Sequence, residues 1–528
     1  MTWPEELAER YRREGYWRGL TLGEAFRDWA RARPAATALV AGARRWTYAE
    51  LDHAADRMAA GLAARGIEPG DRIVVHLPNT AEFVLVLLGA VRLGALPILA
   101  LPAHRSAEIV HLCRHGEAAA YVAPASFGGF DYLALADQVR SEVRQVLVAG
   151  PTEDLPSWAV DLAEVDAEPR DLPRPDPGAP ALLLLSGGTT GLPKLIPRTH
   201  DDYLYNARVS AQLTGLGPHS VYLASLPVAH NFPLASPGAL GTWSEGGTVV
   251  LARSPGPPET FPLIEREGVT HTALVPALAL LWMEAAAYTR RDLSSLTLLQ
   301  VGGSRIKDED ARRVTPALGC ALQQAFGMAE GLICFTRLDD PEHIVHTTQG
   351  SPVCPDDEIR VVSPDGADVP DGEVGELLVR GPYTIRGYYR AAEHNATAFT
   401  TDGFYRTGDL VSRTPSGQLV VQGRVKDTII RAGENVSAEE VEAGLCAHPA
   451  VREAAVVSLT DPAMGELVCA AVVFGGPPVE LSELRDFLRH RGLAEFKLPE
   501  RLAVLGELPL TAIGKYDKKR LQARIGQD

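Results

Sequence analysis

The chain has 528 residues, 46% of them hydrophobic and 22% charged, which excludes a disordered or fibrous protein and predicts a folded one of about two to four domains. Lys plus Arg number 51 against 67 Asp plus Glu, a net charge of −16, so no broad positive field draws nucleic acid or anionic lipid, and any anionic ligand must be held locally. Six cysteines, at 113, 320, 334, 354, 446 and 469, form no CxxC pair; this argues against a zinc site or a disulfide framework and for a reducing compartment, the cytoplasm by expectation.

In chain order, the charged start (Glu5, Glu6, Glu9, Arg10, Arg12, Arg13) lacks the apolar run of a signal peptide, so no export is expected. The apolar stretch Phe83 to Leu101 is broken by Gly89, Arg92, Gly94 and Pro97, and reads as a buried helix followed by a strand rather than a membrane span. Short apolar or β-branched runs at Arg72–His76, Ala181–Leu185, Thr248–Ala252 and Thr297–Val301 alternate with helical patterns, which predicts an α/β fold with parallel strands. From Pro151 to Pro180, seven prolines and many acids predict a loop too polar for core, delivering the strand Ala181–Leu185 to a sheet edge. A β-rich stretch from Gly375 to Gly423 gives way at Gly423-Arg-Val-Lys-Asp427 to a compact αβ pattern of domain size.

The most informative segment is Ser186-Gly-Gly-Thr-Thr-Gly-Leu-Pro-Lys194, which follows a buried strand and packs three glycines, three hydroxyls and a lysine into nine residues. Glycines let the backbone approach an anion, hydroxyls donate hydrogen bonds, and lysine adds a point charge: the segment is built to wrap phosphates. It is not a Walker A loop, because Leu192-Pro193 separates Gly191 from Lys194.

That loop resembles the phosphate loop of the adenylate-forming superfamily of acyl-CoA synthetases, luciferases and peptide-synthetase adenylation domains. Further segments are similar to superfamily motifs: Trp46-Thr-Tyr-Ala-Glu-Leu51, Phe326-Gly-Met-Ala-Glu330, Gly375-Glu-Leu, Tyr405-Arg-Thr-Gly-Asp409, Gly423-Arg-Val-Lys-Asp427 and Gly514-Lys515. Leu195–Tyr203, His230-Asn-Phe-Pro-Leu234, Gly381–Tyr389 and Glu393-His-Asn-Ala396 resemble the aryl-acid ligases, those for 2,3-dihydroxybenzoate above all.

The resemblance implies a large N-terminal region of layered sheets and helices, residues 1–422, and a small mobile α+β C-terminal lid, 423–528, with a hinge at Lys426. It implies ATP-dependent conversion of an aryl acid to its acyl-adenylate, then transfer to a phosphopantetheine thiol. Ser186, Gly187, Gly188, Thr189, Thr190 and Gly191 are expected to hold ATP phosphates beside Lys194, with Thr190 and Glu330 placing Mg²⁺. Gly302, Gly303 and Gly327 are expected along the nucleotide, Gly302 also touching the aryl acid. Phe326 either stacks on adenine or is plain core. Asp409 is expected at the ribose hydroxyls and Arg424 at ribose or phosphate. Lys515 is the expected catalytic cation bridging substrate carboxylate and α-phosphate, and Gly433 is either thiol-tunnel lining or a turn glycine.

The expected aryl-acid site comprises His230, Asn231, Phe232, Ser236, Gly302 and Ile333. Asn231 matches the position that recognises an ortho-hydroxyl, and Ser236 matches a serine of dihydroxybenzoate ligases that salicylate ligases tend to replace by cysteine. Ile333 departs from both groups' patterns, and Phe232 replaces a more usual tyrosine. His230 reads as a structural histidine rather than a proton carrier, since the chemistry needs no base. The expected substrate is 2,3-dihydroxybenzoate, with salicylate, 3-hydroxyanthranilate and 3-hydroxypicolinate as alternatives. The expected acceptor is a separate aryl carrier protein of siderophore or related nonribosomal peptide assembly, free CoA being the rival; neither nucleic acid nor membrane is an expected partner.

Overall fold

The computed structural model describes residues 3–150, 155–186, 192–431, 434–461, 465–491, 493, 497–511 and 514–526. They divide into two compact units, Met1–Glu358 with Val379–Tyr405, and Ile359–Leu378 with Arg406–Asp528.

The larger unit is built on two mainly parallel sheets. One has nine strands, in the order Ser351–Pro352, Gly331–Phe335, Ala321–Met328, Leu298–Gly302, His271–Leu274, Val221–Ala224, Thr248–Leu251, Thr37–Ala41 and Arg44–Thr47. The strands from Ala321–Met328 to Thr37–Ala41 run parallel, and antiparallel pairs close both edges. Parallel strands are covered on both faces and so read as apolar runs rather than alternations, which is why Val249, Val250, Leu298 and Leu299 are all buried. Strand order reverses around Val221–Ala224. In open α/β sheets such a reversal opens a crevice beyond the carboxyl ends of the strands.

The second sheet has seven strands, in the order Leu195–Thr199, Pro180–Leu185, Leu96–Leu99, Arg72–Val75, Ala118–Pro124, Gln145–Ala149 and Val160–Asp161. The expected helix and strand within Phe83 to Leu101 are Ala81–Leu93 and Leu96–Leu99. Two expectations for the preceding loop are corrected. Pro180–Leu185 lies one strand in, because Leu195–Thr199 folds back antiparallel and takes the edge. The polar stretch also holds the strand Val160–Asp161, with Leu162 and Val165 buried behind it.

Helix starts in this unit are set by side chains. In Trp46–Leu51, Thr47 Oγ1 accepts from Glu50 N–H at 3.1 Å while Glu50 Oε2 accepts from Thr47 N–H at 2.8 Å, a capping box that starts the helix Tyr48–Ala64. Thr199 and Asp202 cap His200–Leu213 in the same way, and the buried Asp202 also binds Arg198 at 2.8 Å.

The smaller unit carries most of a four-stranded sheet, in the order Glu358–Val362, Gly375–Arg380, Tyr405–Arg413 and Leu419–Arg424, and a five-stranded sheet centred on the hairpin Val451–Asp461 with Gly465–Phe474. Alternation along Val451–Asp461 splits its side chains between two cores. Ala454 and Val456 pack with Val441, Leu445, Leu484 and Leu488, whereas Ala455 and Val457 pack with Leu521 and Ile525. Among the described residues, no helix is long and apolar enough to cross a membrane.

Candidate active site

Three segments of the larger unit leave the same edge of the nine-stranded sheet, because their strands are parallel: 225–236 after Val221–Ala224, Gly302-Gly303 at the end of Leu298–Gly302, and the end of Ala321–Met328. In the first, His230 caps the short helix Asn231–Ala235, its Nδ1 accepting from Phe232 N–H at 3.3 Å. Asn231 is 6% exposed; its Nδ2 donates to Ser236 Oγ at 3.3 Å, and its Oδ1 is buried without a hydrogen-bond partner among the described residues. A buried acceptor left unsatisfied costs about 1–3 kcal/mol, so the geometry favours a ligand that brings a hydroxyl or N–H to it.

The apolar wall comes from Phe232, Ala325 and Ile333, which belong to one packed cluster with Tyr205 and Tyr383. Gly302 makes this possible: a Cβ there would stand 2.7 Å from Ala325 O and 3.1 Å from the Phe232 ring. Gly302 and Ile333 therefore meet at Phe232, and Asn231 stands on the same short helix as Phe232, which ends at Ser236. Phe326 is half-buried opposite Cys334 in the strand pair, and Gly327 is exposed opposite Ile333.

Gly187, Gly188, Thr189, Thr190 and Gly191, expected from sequence to hold phosphate, lie outside the described residues, but the residues flanking them are defined. Leu185 pairs with Leu195; Ser186 N–H donates to Lys194 O, and Lys194 N–H to Ser186 Oγ, each at 3.0 Å. The Lys194 ammonium lies 5.9 Å from the centre of the Tyr388 ring. Tyr388 in turn donates to Glu330 Oε1 at 2.7 Å and stands 2.8 Å from Tyr405 Oη. Burial, then the Glu330 charge, raise the Tyr388 phenol far above its usual range, so it remains a donor.

Glu330 itself is buried, and the following Gly331 has φ of 141° with Thr384 Cα only 2.3 Å from where a Cβ would be; no side chain fits there, and the chain carrying Glu330 packs closely on the segment carrying Tyr388. A fixed carboxylate of this kind has the donor chemistry of a Mg²⁺ ligand. Tyr388 and Tyr405 were not singled out from sequence as site residues. Both lie within recognised motifs, yet an aromatic residue amid apolar neighbours reads equally well as core.

In the smaller unit, Asp409 and Arg424 face each other across adjacent strands and pair at 2.8 Å. Gly408, within the strand Tyr405–Arg413, has φ of 69° and precedes Asp409, which is 4% exposed. Burial raises the Asp409 pKa, and Arg424 and then Lys515 oppose the rise. Lys515 sits in a tight turn in which Thr511 N–H donates to Lys515 O at 2.7 Å and Lys515 N–H to Thr511 Oγ1 at 3.2 Å. Burial, then the Arg424 charge, push its ammonium down to about 8 against the pull of Asp409, Glu439 and Asp427. Lys426 lies in the 3₁₀ turn Val425–Asp427; Gly433 lies outside the described residues.

The AMP-binding enzyme family matches residues 26–389, and the AMP-binding enzyme C-terminal domain matches 440–515. The 2,3-dihydroxybenzoate-AMP ligase of Bacillus subtilis (strain 168) is 52% identical over 99% of this chain and 97% of that protein. The salicyl-AMP ligase / salicyl-S-ArCP synthetase of Mycobacterium tuberculosis (strain ATCC 25618 / H37Rv) is 49% identical over 100% of this chain and 94% of its own. Among solved structures, Mycobacterium smegmatis MbtA in its apo form is similar with a TM-score of 0.77 and 49% identity, covering 99% of this chain and 98% of the other.

Proposed function

We propose, on the premise that this chain belongs to the AMP-binding enzyme family, that it activates an ortho-hydroxylated aryl acid, 2,3-dihydroxybenzoate in the first instance, and loads it on an aryl carrier protein. The observation that carries the substrate is the buried Asn231 Oδ1, which lacks a partner among the described residues, on the helix that also carries Phe232 and ends at Ser236. An ortho-hydroxyl donating to Oδ1 satisfies it, and Ser236 offers a hydroxyl to a 3-substituent.

In the first step the substrate carboxylate attacks the ATP α-phosphorus; an oxygen–phosphorus bond forms, and the bond to pyrophosphate breaks. A carboxylate needs no base, so the protein's part is positioning and charge neutralisation. Lys194 and the loop from Ser186 to Gly191 hold the terminal phosphates, Asp409 accepts from the ribose hydroxyls, Arg424 reaches the ribose or phosphate, and Lys515 draws the carboxylate and the α-phosphate together. Gly303, Gly327 and Phe326 border the nucleotide. Glu330, with Thr190, would hold Mg²⁺, which would supply neutralisation of phosphate charge.

In the second step a phosphopantetheine thiol attacks the acyl carbon and AMP leaves. The relative named a salicyl-S-ArCP synthetase supports a carrier protein as acceptor. For this step residues 423–528 turn about Lys426, with Gly433 lining the thiol's path. Lys426→Pro, by fixing φ, is expected to spare pyrophosphate exchange and slow thioester formation about tenfold; equal loss of both steps would remove the hinge. The reading as a whole is tested by ATP–pyrophosphate exchange with 2,3-dihydroxybenzoate, salicylate, 3-hydroxyanthranilate, 3-hydroxypicolinate and benzoate. The hydroxylated acids should exceed benzoate by about tenfold or more in kcat/KM, and a preference for benzoate defeats the role of Asn231. Thioester formed with free CoA but not with a holo-carrier would replace the acceptor.

A further inference from the structure

His111 and His115 lie one turn apart on the helix Ser106–Gly116 and so share a face. Their rings stack at 5.1 Å with only 10° between planes. The Nε2 of His111 is 3.1 Å from Pro193 O, and the Nε2 of His115 is 3.4 Å from Tyr389 O. Carbonyl oxygens only accept, so both Nε2 atoms carry the proton and donate. Pro193 directly precedes Lys194, and Tyr389 directly follows Tyr388, the residue that ties Lys194 to Glu330. Tyr389 N–H also donates to Leu195 O at 2.9 Å, so the two strands of chain are fastened to each other as well as to the helix. Leu195 and Tyr389 pack on the cluster formed by Ile109, Leu112 and Cys113 of the same helix, which fixes its distance from both.

We infer that His111 and His115 are positioning residues that clasp the base of the phosphate loop to the Tyr388 segment, and so set the spacing of Lys194 and Glu330 for ATP. Neither touches the reacting atoms. The inference rests on the reading of that loop as the ATP phosphate site. A clasp of this kind acts on nucleotide affinity and leaves the aryl pocket, which stands on the other sheet, alone.

The test is steady-state exchange kinetics together with direct titration of ATP binding, on the wild type, the double variant His111→Ala/His115→Ala and the double variant His111→Gln/His115→Gln. Loss of two ordinary hydrogen bonds should raise the KM and Kd for ATP about tenfold in the alanine variant, with KM for the aryl acid changed less than about twofold. Glutamine, whose amide N–H can reach a carbonyl, should restore most of the ATP affinity. An unchanged ATP affinity, a parallel rise in both KM values, or a glutamine variant as weak as the alanine one overturns the clasp. Should the alanine variant not fold, His111→Asn, whose amide is too short to reach Pro193, gives the same comparison against glutamine. If the wild type itself shows no exchange with any aryl acid, the ATP reading fails and the clasp fails with it.

Discussion

Asn231 carries a buried acceptor without a partner among the described residues, bonds a neutral serine hydroxyl, and is followed by Phe232 of an apolar cluster. Around Asp409 the neighbours are charges, with Arg424 bound to it and Lys515 and Asp427 acting on it through space. The difference separates two tasks. A neutral pocket with one unsatisfied atom discriminates, because only a substrate supplying the missing donor removes the desolvation cost. A set of balanced buried charges acts on rate, because its field changes when charge develops on a reacting group. Changes in the first region should therefore alter which acid is used, and changes in the second how fast any acid is used.

The largest effect is expected at Lys515. Lys515→Ala removes the cation proposed to join two repelling anions, and exchange should fall about 10²–10³-fold or more for every acid alike. The circular dichroism spectrum and melting curve should stay close to wild type, since burial already disfavours the ammonium. Near-normal exchange in a folded variant would end the assignment, and a loss confined to hydroxylated acids would erase the contrast between the two regions.

Asn231→Leu comes next and acts in the opposite sense. It replaces the unsatisfied amide with an apolar side chain of similar size, so kcat/KM for 2,3-dihydroxybenzoate should drop about five- to a hundredfold, the worth of one buried polar contact. Benzoate, which has no hydroxyl to lose, should hold steady or improve. If both acids weaken equally, the amide is a structural part of the helix Asn231–Ala235 rather than a reader of the ring.

How far these regions are readable in advance depends on the range of the interaction. The base of the phosphate loop is visible in sequence because strand, glycines and lysine are contiguous, and the apolar runs at Arg72, Thr248 and Leu298 announce buried parallel strands. The Asp409–Arg424 pair is hidden because it depends on strand register, which no local pattern states. Tyr388 is hidden for another reason: its phenol matters only through Glu330, far away along the chain, and the linear pattern shows just an aromatic residue. Conversely, Trp46–Leu51 counts toward the family resemblance, but its Thr47 and Glu50 serve a helix cap. The stretch before Pro180 misleads because Leu162 and Val165 are too sparse to register as core, and burial of a few side chains under a polar loop leaves no periodicity.

The smallest effect is on pH dependence, and it belongs to the charged region alone. Lys515 acts as a cation and its ammonium is pushed down to about 8, so it is protonated below that pH and loses its proton above it. The kcat/KM for ATP in exchange, which reports the free enzyme, should therefore decline as pH rises through about 8 and approach roughly a tenth of its plateau near pH 9, as a single titration requires. On the acid side Asp409, whose pKa is raised by burial, loses its charge earlier than an exposed carboxylate, which would weaken the proposed ribose contact as pH falls. Lys515→Arg separates this from any other alkaline limb: a guanidinium keeps its charge throughout the range. That variant should be slower than wild type, but its profile should be flat above pH 8. A wild-type profile that stays level to pH 9, or an arginine variant that falls along with it, means that the titrating group is not Lys515 and that the charge balance around Asp409 does not govern the rate.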